Sequence, residues 1–252
     1  MSAPDLAALA ARAEALVAAP LAIGAPATLA GPPLAAVIDH TLLRAEATAA
    51  DVAATADEGR ALGAASVCVN GRWVPLVSGR LRGGVVRCCA VVGFPLGAMA
   101  ARAKAAEAAH AIADGAAELD MVVALGALLA GELGAVHDDI AEVVLAARGI
   151  PVKVILESAA LSPLAIAQGC LLAEAAGAAF VKTSTGFHAA GGASVEAVAL
   201  MRAAVGGRLG VKASGGIRTL ADAQRMLGAG ATRLGASATR AIVAGGAGGA
   251  GY

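Results

Sequence analysis

The chain has 252 residues, a formal net charge of zero and 2% aromatic side chains. That balance removes the basic surface and stacking rings with which proteins hold nucleic acids, and leaves a small molecule as the expected partner. The length admits one large domain or two small ones, and α/β barrels reach it as a single unit.

The opening stretch MSAPDLAALAARAEALVAA places Asp5, Arg12 and Glu14 where an export signal needs an unbroken apolar core, so a cytoplasmic protein is expected. Residues 1–20 predict a helix outside the repeat that follows. Residues 15–38 carry no charge, yet Pro20, Gly24, Pro26, Gly31, Pro32 and Pro33 break the run. No spanning helix holds such a segment, and it reads as a linker. The expected division is therefore a helix and Pro/Gly linker over 1–33, a barrel over 34–243 and a glycine-rich tail over 244–252.

Four times an alanine-rich stretch meets a glycine and then a short apolar run: ALGAASVCVN (61–70), ADGAAELDMVV (113–123), EAAGAAFVKTS (174–184) and GAGATRLGAS (228–237). Glycine suits the position just past a helix, and the apolar run suits a strand buried on both faces. Each is a predicted helix-to-strand joint. Further strands are predicted at 35–43, 86–95, 151–158 and 209–217, with helices over 47–62, 101–114 and 193–205. Eight βα units predict a TIM (β/α)8 barrel with an extra N-terminal helix, with active-site loops at the carboxyl ends of the strands. An open doubly wound sheet shares the same periodicity and stays open. Cys68, Cys88, Cys89 and Cys170 lack metal-ligand spacing and are expected as buried thiols.

Positive charge is written as fifteen arginines against four lysines, Lys104, Lys153, Lys182 and Lys212. Lysine, unlike arginine, can lose its proton and act as a nucleophile; the alternative is a snorkelling or ion-paired lysine. Three polar residues follow apolar strand residues and precede loops: Asp120 in ELDMVV, Lys182 in FVKTSTG and Lys212 in VKASGG. Burying them costs several kcal/mol unless they are paired or used. Neighbouring strands put Lys182 and Lys212 about 4.8 Å apart. Burial and a second cation would then lower the pKa of Lys182 and free it to attack an aldehyde, with Asp120 moving protons. A purely structural Lys–Asp pair, with the second lysine held by Glu157, is the competing reading. Gly215-Gly216 and Gly235-Ala-Ser237 end the last two strands, where barrels commonly hold a phosphate.

In order along the chain, IDHTLL (38–43), SVCVN (66–70), VVGFPLGA (91–98), ELDMV (118–122), VKVILES (152–158), FVKTSTGF (180–187), GVKASGGIR (210–218) and GATRLGAS (230–237) resemble the blocks of class I deoxyribose-phosphate aldolases. The resemblance covers roughly residues 34–243. It implies that Lys182 forms the Schiff base, Lys212 tunes it and relays protons, and Asp120 gives and takes the proton. The implied reaction is reversible cleavage of 2-deoxy-D-ribose 5-phosphate to D-glyceraldehyde 3-phosphate and acetaldehyde, with neither cofactor nor metal. Some members carry lysine where this chain has Phe187, so phosphate binding is expected to rest on backbone amides and Ser237. Thr185, Gly186, Gly215, Gly216 and Gly235 complete the expected substrate and phosphate contacts. Gly71-Arg72-Trp73 departs from the family pattern. A homodimer is expected by the same resemblance.

Lys153 and Glu157 share strand parity and are expected to form an ion pair beside the site. Asp39 and Thr41 either bind substrate hydroxyls or fix the first strand. His40, His110, His137 and His188 show no catalytic arrangement and are expected to be structural or solvated. Tyr252 ends a tail able to reach the barrel mouth. A binding barrel without turnover, serving as a sensor or partner module, is the alternative function.

Overall fold

The computed structural model describes residues 4–246. Eight parallel strands close on themselves in chain order: β1 (Ile38–Leu42), β2 (Ser66–Val69), β3 (Arg87–Val92), β4 (Glu118–Val122), β5 (Val152–Ile155), β6 (Phe180–Lys182), β7 (Gly210–Ser214) and β8 (Arg233–Ala236). Pairing of Ile38 with Leu234 and of Asp39 with Gly235 seals the cylinder and excludes the open sheet.

The glycine joints explain how each strand is entered. Gly63, Gly115, Gly177 and Gly230 all take positive φ, at 65, 108, 83 and 113°, and lead from a helix end into β2, β4, β6 and β8. A side chain at those φ values is strained, which is why the sequence repeats glycine there. Four of the helices between are started by side-chain caps. Thr48 with Asp51 and Thr219 with Asp222 form reciprocal capping boxes, and Ser162 and Ser194 each accept from a first-turn amide.

Alternation along the strands sorts the residues into two environments. Val67, Ala90, Leu119, Met121, Val154, Val181, Val211 and Leu234 join the apolar layer between barrel and helices. Inside the barrel a small apolar group of Leu43, Cys68, Cys89 and Val91, with Phe94 against it, borders a cluster of buried charges.

The helix Leu6–Ala18 forms as expected, capped by Asp5, and buries Leu9 and Ala13. Arg12 fixes it by donating to the Ala204 carbonyl at 3.2 Å. The linker contains one short helix, Gly31–Ala35, so β1 begins at Ile38 where a strand from residue 35 was expected. Elsewhere the linker is pinned to the helix Leu220–Gly228: Ala27 donates to the Gln224 carbonyl at 2.9 Å, and a Cβ on Gly24 would lie 2.4 Å from the Gly228 oxygen. Beyond residue 246 the expected tail, Tyr252 included, lies outside the described residues. Among those described, no helix is long and apolar enough to cross a membrane.

Candidate active site

All four lysines of the chain are buried. Lys104 is the purely structural one: it lies between helices and barrel, donating to Asp139 at 2.7 Å and to the Val122 carbonyl at 2.9 Å. The other three enter the barrel and converge on one carboxylate. Asp120 Oδ2 accepts from Lys182 at 2.7 Å and from Lys212 at 2.6 Å, while Oδ1 accepts from Lys153 at 2.8 Å and from the Cys89 thiol at 3.2 Å. Lys182 and Lys212 are register partners on β6 and β7, so the adjacency expected from strand order is present.

Beneath Asp120, toward the amino ends of the strands, lies a second layer of charge. Asp39 Oδ2 is 2.5 Å from Lys212 and 3.6 Å from Lys153, and Asp39 Oδ1 is 2.6 Å from Arg233. Glu118 meets Lys153 at 2.7 Å and Arg233 at 3.3 Å. The enclosed charges are thus four cations, Lys153, Lys182, Lys212 and Arg233, against three carboxylates, Asp39, Glu118 and Asp120. Burial disfavours each charge, but proximity decides the outcome. Burial opposes ionisation of Asp120, yet Lys153, Lys182 and Lys212 hold it well below the usual carboxylate range. Asp39 is held low in the same way by Lys212, Lys153 and Arg233. Burial also works against charge on Lys153 and Lys212, and the facing carboxylates, Asp120 first, overcome it and keep both above the ordinary lysine value. Of the three lysines only Lys182 has any exposure, at 3%, against 0% for the other two.

Glu157 was expected to pair with a lysine and does not. β5 ends at Ile155, and Glu157 takes φ 61° and ψ 53°, which breaks the strand alternation that would have aimed it with Lys153. Its carboxylate instead accepts from the Thr185 amide and, at 2.5 Å, from the Thr185 hydroxyl. Thr185 Oγ1 in turn accepts from the Phe187 amide at 3.1 Å. Phe187 packs edge-on against Phe94, with centroids 5.2 Å apart, and with His188 and Leu96 lines an apolar cavity of about 270 Å³ at the barrel mouth. Thr41 is buried and donates to the Asp39 carbonyl at 2.8 Å, so neither it nor Asp39 reaches that opening through the contacts it makes.

A separate polar recess of about 70 Å³ is lined by Gly186, Gly215, Gly216, Gly235, Ser237 and Arg218. Gly215 and Gly216 take φ 82° and 83°, a double left-handed turn that side chains resist. Gly235 does more than turn the chain: a Cβ there would lie 3.1 Å from Lys212 Cε. One arginine among fifteen gives no signal in the sequence, and the hint that Arg218 carried was its place two residues past the double glycine. Arg72 stacks on Trp73 at 4.6 Å within a short 3-10 turn, which accounts for that atypical loop locally. His40 is structural, bonded through Nδ1 to Thr239 at 2.9 Å. Sequence spacing also hid that Cys68, Cys89 and Asp120 place potential metal-ligand atoms within 4.8 Å of one another. Three lysine amines beside Asp120 make that group a poor host for a cation.

A closed parallel βα barrel with a buried lysine–aspartate centre defines an aldolase-type site. The chain belongs to the DeoC/LacD aldolase family, whose model matches residues 34–245. It is 58% identical over 217 residues to the deoxyribose-phosphate aldolase of Mycobacterium avium, covering 84% of this chain and 96% of that relative. The enzyme of the same name from Mycobacterium tuberculosis is 55% identical over 216 residues, with 84% and 95% covered. Among solved structures, a Coccidioides immitis chain superposes with a TM-score of 0.91 at 39% identity, covering 97% and 98% of the two chains. The tetrameric deoxyribose phosphate aldolase of Aeropyrum pernix gives 0.78 at 31%, with 96% and 97% covered.

Proposed function

We propose that the protein is a class I aldolase that reversibly cleaves 2-deoxy-D-ribose 5-phosphate to D-glyceraldehyde 3-phosphate and acetaldehyde, with Lys182 as the imine-forming residue. The convergence of Lys182, Lys212 and Lys153 on Asp120 is the observation that carries this reading. The enclosed cations outnumber the carboxylates by one, so one amine is without a matching negative charge. Lys153 and Lys212 are fully enclosed and keep their protons against paired carboxylates, and Lys182, the one of the three with any exposure, is the amine a sugar can reach.

The neutral amine attacks C1 of the open-chain sugar. The carbinolamine loses water, and the resulting iminium draws electrons from the C2–C3 bond as the C3 hydroxyl yields its proton toward Asp120. The bond breaks, glyceraldehyde 3-phosphate departs, and the enamine regains a proton at C2 before water releases acetaldehyde. Asp120 lies within reach of both lysines and serves as the proton carrier. Lys212, held as an ammonium by Asp120 and Asp39, keeps that carboxylate charged and positioned.

The recess lined by Gly186, Gly215, Gly216, Gly235, Ser237 and Arg218 suits a phosphate, with positive-φ glycines freeing backbone amides and Arg218 supplying a cation. Thr185 belongs to the wall of the sugar-binding cavity. Asp39 and Thr41 are best read as support for Lys212 from below. We place the barrel unit at 34–243, the protein in the cytoplasm and its assembly as a homodimer, which light scattering of the purified chain measures. Release of glyceraldehyde 3-phosphate from the sugar phosphate, lost in Lys182→Met, tests the reaction; cleavage that survives in Lys182→Met contradicts it.

A further inference from the structure

Cys68 and Cys89 face each other inside the barrel. They are register partners on β2 and β3, which sets their Cα atoms about 4.8 Å apart, within the span of a disulfide. Their sulfurs lie within 4.8 Å of one another and of an Asp120 oxygen, and both side chains are fully buried. Cys89 donates to Asp120 at 3.2 Å and accepts from Lys153 at 3.4 Å. The remaining thiols, Cys88 and Cys170, sit on the other side of the strands, in the layer between barrel and helices.

The two inward thiols differ in chemistry. The close Cys89 side chain, aided by Lys212 and Lys182, outweighs burial and holds the Cys68 thiol below its ordinary value. Burial pushes Cys89 well up. One sulfur is therefore suited to attack as a thiolate, while its neighbour keeps its proton until needed.

We propose that Cys68 and Cys89 form a peroxide-reactive dithiol whose closure to a disulfide reversibly shuts the adjoining site. The Cys68 thiolate attacks one oxygen of a peroxide, the O–O bond breaks, and hydroxide leaves and is protonated to water. Cys89 then attacks the sulfenic sulfur; the S–O bond breaks, and the oxygen leaves as a second water with the Cys89 proton. Two thiols are oxidised while hydrogen peroxide is reduced to two waters. A peroxide enters by the opening at Lys182 that admits the sugar. Closure removes the Cys89 S–H from Asp120 Oδ1 and draws the sulfur away from Lys153, so two of the contacts that orient this centre change together. The oxidation stands on the cysteine geometry alone; its effect on turnover rests on the aldolase reading.

The whole protein is exposed to hydrogen peroxide, digested without reductant and mapped by fragment spectra that separate Cys89 from Cys88. A Cys68–Cys89 link is expected, with cleavage of deoxyribose phosphate falling about tenfold or more and recovering with a thiol reductant. Cys68→Ala is expected to keep its own starting rate through the same exposure, while Cys88→Ala and Cys170→Ala respond like the parent. No link, a link through Cys88, inactivation that persists in Cys68→Ala, or a complete link with undiminished turnover overturns the proposal. An untreated protein that fails to cleave the sugar phosphate refutes the aldolase reading, and the peptide map still decides the dithiol.

Discussion

Asp120→Asn removes the one charge on which three buried amines converge while keeping the side chain's volume. Breaking a buried ion pair from one side costs about 3–5 kcal/mol, because the partner is left charged in a poor solvent. The chain has an escape, which is to strip a proton from one lysine. From an ordinary lysine value near 10.4, that costs about 4.6 kcal/mol at pH 7, at about 1.4 kcal/mol for each pH unit. The two routes agree on a loss of about 4 kcal/mol, or roughly 8–16 °C in Tm for a chain of this size. The stranded lysine has a folded-state pKa below its unfolded value, so its penalty shrinks as pH rises toward the unfolded value. The gap between parent and variant should close by about 2.7 kcal/mol between pH 7 and 9. Thermal unfolding followed by circular dichroism at both pH values measures this, and turnover should fall about 100- to 10,000-fold in parallel. A variant that melts with the parent at pH 7, or a gap that does not narrow by pH 9, refutes the charge count on which the site is built.

Arg218→Ala should raise KM for deoxyribose 5-phosphate about tenfold to a hundredfold by removing the recess's cation, and leave cleavage of unphosphorylated deoxyribose unchanged. Gly235→Ala brings a Cβ to 3.1 Å from Lys212 Cε and 3.0 Å from Ser214 Cβ. Displacement of the ammonium should lower kcat about ten- to a hundredfold while the barrel still folds, as steady-state kinetics and circular dichroism together would show. His40 is held below its ordinary value of 6.5 by burial, against the opposing pull of Glu58. Its contribution is therefore complete above pH 6.5 and lost as pH falls through the lower folded-state value. Tm measured from pH 7.5 to pH 5 should drop more steeply for the parent than for His40→Asn, and parallel curves would contradict that assignment.

The barrel was legible because glycine joints and apolar runs recur with a fixed relation: Gly63, Gly115, Gly177 and Gly230 each precede a strand start by three residues. Once the strands are counted in order, Lys182 and Lys212 must be neighbours, and Asp120 follows from its depth on β4. What stayed hidden depends on register and on where strands stop. The second charge layer needs closure of β8 onto β1 to bring Arg233 to Asp39, and no spacing along the chain shows this. Lys153 had the expected parity, but its partner was misread because Glu157 leaves the strand in a left-handed conformation. The pairing of Cys68 with Cys89 was invisible for the same reason: residues 21 apart in sequence meet only through the β2–β3 register.

The chemistry of the site turns on which lysine carries the carbon skeleton. Incubation with acetaldehyde and cyanoborohydride, followed by peptide mass mapping, fixes the imine as a stable ethyl adduct. Among the four lysines the adduct is predicted on Lys182 alone, formed as well when deoxyribose 5-phosphate replaces acetaldehyde, and absent in Lys182→Met. An adduct on Lys212 or Lys153, or labelling that Lys182→Met leaves intact, would contradict the assignment at its centre.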